Sequence, residues 1–194
     1  MEIGATKAVQ DRLKTTKIEE SKGASLVFCW DTHLTKIKGR NVLFIVNASN
    51  RYTIAMTDIE PRNWNYYTMY IRSVIHGVMQ EMGYSEDQIG QYFKMSGDTT
   101  VTKTHGRKSV GGINRMVMDA QYFGKKLEKE AKYQWELSEY LNRDICQPEG
   151  FDANGYPSEL FKLDMERLGI AAKRKPAKII DFTQYIDTNR STNH

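Results

Sequence analysis

The apolar pattern of the first sixty residues predicts a small β-sheet. Residues 41–47 (NVLFIVN) form a continuous apolar run, which is typical of a central strand covered on both faces. Residues 51–56 (RYTIAM) alternate in polarity, and the turn-forming residues 47–50 (NASN) between the two runs predict an antiparallel hairpin. Residues 25–30 (SLVFCW) predict a further strand, and the poorly alternating residues 33–38 predict an edge strand or a bulge.

Helical periodicity dominates the middle of the chain. Pro61 can begin an amphipathic helix, and Ser85 can cap a second, shorter one. The Thr- and Val-rich residues 99–104 then predict a strand that returns to the first sheet. From Ser109 to about Asn142, apolar residues recur every three or four positions, which predicts one long helix lying against the sheet.

These elements together predict an α+β fold. We expect one core domain at residues 1–146, in which a small, mostly antiparallel sheet packs against two or three helices. Residues 147–194 are expected to form a C-terminal extension, because they begin with a stretch dense in turn-forming residues (QPEGFDANGYP). This extension holds a short helix that Ser158 can cap and a basic tail.

Composition narrows the class of protein only modestly. The 194 residues carry a net charge of +4 with a pI near 8.9, which permits contact with nucleic acid without requiring it. Two cysteines, Cys29 and Cys146, fit neither a disulfide framework nor a zinc site, and the four histidines share no metal-ligand spacing. We therefore expect no metal and no cofactor. No apolar stretch has the length of a signal peptide or a membrane span, which predicts a cytoplasmic protein without membrane contact.

The densest set of candidate binding residues lies at residues 102–112 (TKTHGRKSVGG). A Walker phosphate loop is excluded, because Arg107 separates Gly106 from the following lysine and Val101 stands where the first glycine belongs. If Ser109 caps the long helix, its free first-turn amides and the neighbouring basic side chains can bind an anion such as a nucleic-acid phosphate. The basic side chains concerned are Lys103, His105, Arg107 and Lys108. The alternative is a capped helix start with basic surface residues, and the spacing favours it.

Two further features are candidates for chemistry or binding. Asp31 and His33 would share one face of a strand and could form an acid/base pair, although the alternative is a hydrogen-bonded histidine at a strand start. In the aromatic stretch NWNYYTMY, Tyr66 should point away from the core. Tyr66 could then stack on a base or anchor a protein interface, the alternative being an ordinary position at the rim of the core.

Three segments carry a resemblance to a known family: IGATKAVQDRL, FCWDTHLTKIKGRNVLFIVNASNRYTIAM and TVTKTHGRKSVGGIN. Over roughly residues 1–141 the chain resembles an uncharacterised family of small bacterial and mobile-element proteins, catalogued only as a domain of unknown function. The matching positions are Trp30, Leu34, Arg40, Asn47, Arg51, Tyr52, Thr102, Lys103, Thr104 and Arg107. Because the family has no assigned catalytic residues, the resemblance implies a fold, and its usual setting in phages and mobile elements suggests a host nucleic-acid machine as the partner.

We expect a non-catalytic binding protein that engages nucleic acid or a nucleoprotein complex of the host. The expected contact residues are Lys103, His105, Arg107, Lys108, Arg40, Arg51, Lys173, Arg174 and Lys175. A specific form of this hypothesis is a phage or mobile-element inhibitor of a host defence nuclease, of the anti-CRISPR type. One alternative is a nuclease-like toxin that uses His33, His105, Asp31 and Arg51. The other alternative is a protein-binding module whose interface contains Tyr66, Trp135, Phe182 and Tyr185.

Overall fold

A mixed five-stranded sheet organises the fold, and helices cover both of its faces. The computed structural model describes residues 1–15 and 18–173, and it confirms the predicted α+β class. The strands lie in the order β4-β3-β2-β1-β5. They are β1 (Glu2–Ala5), β2 (Cys29–Ile37), β3 (Arg40–Asn47), β4 (Thr53–Thr57) and β5 (Thr100–Thr102).

The predicted hairpin is present as β3 and β4, which pair antiparallel with Ile45 opposite Ile54. The apolar run in β3 is buried on both faces, as expected for a central strand. Leu43 and Ile45 join one core cluster, whereas Phe44 joins the cluster on the opposite face. The alternation of β3 therefore divides the interior into two layers.

Two strand predictions need correction. Residues 26–28 form a short 3₁₀-helix, and the strand that follows, β2, runs nine residues through the centre of the sheet rather than at its edge. The apolar pattern of β2 is also interrupted before residue 33, because the strand buries hydrogen-bonded polar side chains: Thr32 donates to the Gly4 carbonyl at 2.8 Å, and Asp31 is fully buried. The strand β1, which the pattern does not predict, lies parallel to both β2 and β5, so the sheet is mixed.

Seven α-helices pack around this sheet within the part of the chain that the structure describes. They are α1 (Lys7–Leu13), α2 (Pro61–Asn65), α3 (Tyr67–Glu81), α4 (Glu86–Ser96), α5 (Gly106–Gln121), α6 (Trp135–Asn142) and α7 (Pro157–Arg167). The capping box at Ser85 and Gln88 confirms the predicted start of α4. Residues of α1, α3, α4 and α7 fill the first core cluster, and residues of α5 and α6 fill the second.

The single long helix predicted from Ser109 to about Asn142 is wrong. The helix α5 begins at Gly106, with His105 rather than Ser109 at its N-cap, and it ends at Gln121. The next residues leave the helix because they cover the free edge of β4, where Thr57 donates its backbone N–H to Lys132 at 2.8 Å and Gln134 donates to Ala55 at 2.9 Å. Pairing with the sheet edge overrides the helical spacing of this segment.

The C-terminal extension begins within the described residues. Its helix α7 contributes Phe161 and Met165 to the first core cluster, both nearly inaccessible to solvent. The predicted division of the chain at residue 146 stays a prediction. Across residues 1–15 and 18–173, none of the helices has both the length and the apolar character needed to cross a bilayer.

Candidate functional site

His105 lies where the chain leaves β5 and begins α5, and its side chain turns into the interior. Only 2% of that side chain is exposed. The imidazole Nδ1 lies 2.7 Å from Asp31 Oδ1, and Nε2 lies 3.0 Å from Glu2 Oε2. Glu2, Asp31 and His105 therefore form a buried chain of carboxylate, imidazole and carboxylate that joins β1, β2 and the start of α5.

Asp31 is the most enclosed member of this group. Its Oδ1 accepts the His105 backbone N–H at 3.2 Å, and its Oδ2 accepts the Ser109 hydroxyl. The carboxylate thus sits at the N-terminal end of α5, where the helix dipole stabilises negative charge. Gly4 of β1 makes room for it, because a Cβ at that position would lie 1.8 Å from Asp31 Oδ1.

Glu2 is held in place by the backbone that precedes β2. Its Oε1 accepts the Lys22 backbone N–H at 2.8 Å while Oε2 faces His105. Burial opposes the charged carboxylate, but hydrogen bonds from Ser21, Lys22 and His105 outweigh it and hold the pKa of Glu2 below its usual value. Glu2 is therefore a buried anion.

The surroundings of His105 favour the positively charged form of its ring. Burial alone would lower its pKa, but the hydrogen bond and the charge of Asp31, together with the Cys29 thiol, raise the pKa of His105 to about 10. Both ring nitrogens donate to carboxylates in this state, so the imidazolium has no free lone pair. We refer to Glu2, Cys29, Asp31, His105 and Ser109 as the His105 cluster.

The four residues predicted for a nuclease-like toxin do not form one site: Asp31 and His105 are bonded to each other, whereas His33 and Arg51 have other partners. His33 is half-buried, and its Nδ1 lies 3.1 Å from the hydroxyl of Thr6, whereas Asp31 is bonded to His105 and Ser109. Burial lowers the pKa of His33. Arg51 donates to the Gly112 carbonyl at 2.9 Å. The side chain of His105 is enclosed and both of its ring nitrogens face carboxylates, so it is turned away from solvent.

Some side chains of the predicted basic surface make contacts within the fold, and others are exposed to solvent. Arg40 pairs with Asp58 and donates to the Glu128 carbonyl at 2.6 Å, so it ties the hairpin to the segment after α5. Lys103 pairs with Glu20, and Lys108 donates to the Pro148 carbonyl at 3.2 Å. Both lysines remain exposed, as does Arg107.

The remaining predicted contact residues are mostly at the surface or outside the described part of the chain. Tyr66 is 65% exposed and Trp135 is 51% exposed, in agreement with the interpretation of Tyr66 as a side chain that points away from the core. Lys173 is exposed. The predicted residues that lie outside the described residues are Arg174, Lys175, Phe182 and Tyr185.

A comparison with known protein families shows which family the chain belongs to. A family model described as a domain of unknown function, DUF6933, matches residues 2–160. The chain belongs to the DUF6933 family. This match confirms the resemblance to an uncharacterised family. No curated protein and no solved structure matches the chain.

The matched range of DUF6933 includes the whole His105 cluster, which the sequence pattern does not predict as one group. The pattern places His105 on an anion-binding surface and Ser109 at a helix cap, and it gives no role to Glu2. One signal is present: Asp31 stands inside the apolar stretch FCWDT, and a carboxylate in a buried strand requires a partner. The identity of that partner depends on β1 and β5: Gly4 of β1 lies between Asp31 and Thr102, and the chain that leaves β5 brings His105 to Asp31.

Proposed function

We propose that this DUF6933 member is a non-catalytic binding protein that contacts nucleic acid, alone or within a nucleoprotein complex. The contact surface is the basic turn, which we define as Lys103, Arg107 and Lys108. The observation that supports the proposal most is the exposure of all three side chains around the N-terminal end of the 16-residue helix α5. Cationic side chains beside the positive end of a helix favour the binding of phosphate groups.

The contacts of the basic turn are weak enough to be exchanged for phosphate. The ion pair of Lys103 with Glu20 has 54% and 75% of the two side chains exposed, so it contributes little to stability. The Lys108 ammonium donates to a backbone carbonyl and not to a carboxylate. Arg107 lies in the first turn of α5 and is exposed. These side chains can reorient toward a ligand without disturbing the core.

The same structure disfavours catalysis at the predicted residues. The His105 cluster is enclosed, and its internal carboxylate Asp31 already occupies the inner side of the α5 N-terminus. An external phosphate would therefore bind to side chains on the outer side rather than enter the cluster. We infer that the cluster fixes the position of the turn and that the turn makes the contact.

A titration of labelled single-stranded and duplex oligonucleotides by fluorescence anisotropy tests the proposal. Replacing Arg107 and Lys108 together by Ala should weaken binding at least about tenfold, since each phosphate contact adds counterion release. Lys125→Ala with Lys126→Ala is the matched control, because it removes the same charge from exposed positions beyond the other end of α5. Equal reductions of affinity in both double variants, or no binding by the wild-type protein, would contradict the proposal.

The narrower hypothesis concerns the partner. An anti-CRISPR-type inhibitor of a host defence nuclease would use the basic turn to occupy the nucleic-acid channel of that enzyme. The wild-type protein should then protect target DNA from cleavage, and the variant with Arg107 and Lys108 replaced should protect it less. If the wild-type protein does not protect the DNA, the inhibitor hypothesis is wrong. The oligonucleotide titration tests direct contact with nucleic acid independently of that result.

A second candidate function, protein binding, is favoured by one apolar recess. Tyr66 and Met69 are 65% and 67% exposed, and with Leu13, Trp64 and Val101 they line a recess of about 380 Å³. Exposed aromatic and Met side chains around a recess are typical of interfaces. In a pull-down with nuclease treatment, a partner that disappears only on Tyr66→Ala with Met69→Ala supports this candidate. A partner that disappears only on replacement of Arg107 and Lys108 supports the basic turn.

A further inference from the structure

The His105 cluster contains three side chains of different chemistry whose potential ligand atoms lie close to one another. A carboxylate oxygen of Glu2, the Sγ of Cys29 and a ring nitrogen of His105 all lie within 4.8 Å of one another. All three residues are buried, with 4%, 0% and 7% of their surface exposed. Carboxylate, thiolate and imidazole are the ligands that zinc takes in proteins.

The sheet brings the three ligands to one face. Glu2 and Cys29 are direct register partners on the parallel strands β1 and β2. Their neighbours Ile3 and Trp30 pack in the first core cluster, so Glu2 and Cys29 face the opposite side, toward α5. His105 arrives at the same face from the end of β5, which pairs with β1 on its other edge.

The partners around these ligands have the arrangement that metal sites use. Asp31 Oδ1 holds His105 Nδ1 at 2.7 Å, which fixes the ring and directs Nε2 toward Glu2. A carboxylate on the far nitrogen of a histidine is the common outer partner of zinc ligands. Glu2 is fixed in turn, because its Oε1 accepts the Lys22 backbone N–H at 2.8 Å.

The distances require small movements for a metal to bind. Two nitrogen or oxygen atoms about 2.0 Å from a tetrahedral zinc are about 3.3 Å apart, and the separation of His105 Nε2 and Glu2 Oε2 is 3.0 Å. Cys29 Sγ already lies within 4.8 Å of a ligand atom of each of these two residues, and its contacts with the Ser25 and Ala24 carbonyls, at 3.4 and 3.7 Å, are weak enough to give way to a metal. A proton between Nε2 and Oε2 is the alternative occupant of the same space.

We propose that Glu2, Cys29 and His105 bind one zinc ion and that Asp31 acts as the positioning residue for His105. Binding releases the proton shared by His105 and Glu2 and the proton of the Cys29 thiol, and three protein ligands leave one tetrahedral position. Because the ligands are enclosed, a water molecule rather than a substrate would take that position, and the ion would tie β1, β2 and the start of α5 together. The proposal departs from the sequence-based expectation of no metal, and it does not depend on the proposed function.

Cobalt titration of the full chain, first treated with a chelator, tests the proposal, since Co²⁺ adopts zinc geometry and thiolate ligation produces a charge-transfer absorption. The matched pair of variants is Cys29→Ser and Cys146→Ser, because both cysteines are buried and only Cys29 belongs to the cluster. We expect one equivalent of Co²⁺ to give the absorption in the wild-type protein and in Cys146→Ser, and Zn²⁺ to displace it. Cys29→Ser should lack the absorption, and Asp31→Asn should weaken binding about tenfold to a hundredfold.

The Cys146→Ser variant decides the question even if Cys29→Ser does not fold. It leaves Cys29 as the only thiol in the chain. A charge-transfer absorption at one equivalent can then come only from Cys29. Lack of this absorption in Cys146→Ser, or an equally strong absorption in folded Cys29→Ser, overturns the proposal and leaves a proton as the occupant.

Discussion

At the scale of single residues, the positive charge that His105 carries when no metal is bound explains the two carboxylates around it. Burial of Glu2 and Asp31 without a cation would cost several kcal/mol for each charge. The imidazolium contacts both at 3.0 and 2.7 Å, and Ser109 satisfies a further oxygen of Asp31. The three residues therefore have to be considered as one unit, because removing one member leaves the others unpaired.

His105→Gln should destabilise the fold by about 3–5 kcal/mol in chelator-treated protein, because two buried carboxylates lose their cation. Urea unfolding followed by circular dichroism measures this change. His76→Gln is the control, since His76 pairs with Glu86 on an exposed surface and its replacement should change the free energy of unfolding by no more than about 0.5 kcal/mol. A destabilisation by His105→Gln as small as that of the control would contradict the role of His105 as the cation of the cluster.

The raised pKa of His105 predicts a specific dependence of stability on pH. The folded-state pKa of about 10 lies above the ordinary value of 6.5, so the contribution of His105 is fully present below pH 6.5 and is lost as pH rises toward 10. In chelator-containing buffer, the free energy of unfolding of the wild-type protein should fall more steeply over this range than that of His105→Gln. The difference should approach at most about 1.4 kcal/mol per pH unit. Parallel curves for the two proteins would show that His105 does not titrate in this range.

At the scale of elements, the segment after α5 shows that hydrophobic periodicity alone does not predict where a helix ends. Gly124, Leu127 and Ala131 continue the helical spacing of α5, yet the chain leaves the helix after Gln121 and lies along β4. The buried side chain of Gln134 holds this segment, because its Nε2 donates to the Thr57 hydroxyl and to the carbonyls of Glu128 and Ala131. The pattern of hydrophobic residues contains no information about these polar contacts.

Gln134→Ala should destabilise the protein by about 1–3 kcal/mol, because carbonyls that Gln134 satisfies lose their donor. Amide hydrogen exchange should localise the effect to residues 122–134 and to β4, whose Thr57 bonds to this segment. Gln121→Ala is a suitable control, since Gln121 is exposed and its side chain donates to the Lys36 carbonyl at the surface. Equal exchange at β4 in both variants would argue against a role of Gln134 in covering the sheet edge.

At the scale of the whole molecule, the sequence predicts local elements better than their assembly. The hairpin β3–β4 and the helix α4 follow from an apolar run, turn residues and a capping box that lie close together in the chain. The sheet order does not follow, because β1 is four residues long and contains a glycine, so it lacks a strand signal of its own. Its insertion between β2 and β5 gives the sheet its parallel half.

The same long-range pairing limits how much of the site could be predicted. The sequence identifies the basic turn, because Lys103, Arg107 and Lys108 are close in the chain and polar enough to reach solvent. It does not reveal that His105 is buried between Glu2 and Asp31, which are 103 and 74 residues away. The pairing of β1, β2 and β5 has to be known before the buried His105 can be distinguished from the exposed cations next to it in the sequence.

The salt dependence of nucleic-acid binding tests the central claim most directly. The logarithm of the association constant, measured for one oligonucleotide across a range of salt concentrations, should fall linearly with the logarithm of salt concentration for the wild-type protein. Replacement of Arg107 and Lys108 by Ala should reduce the slope by roughly two, because each of the two cations neutralises one phosphate. A slope that stays unchanged in this variant, or binding by the wild-type protein that does not respond to salt, would contradict contact through the basic turn.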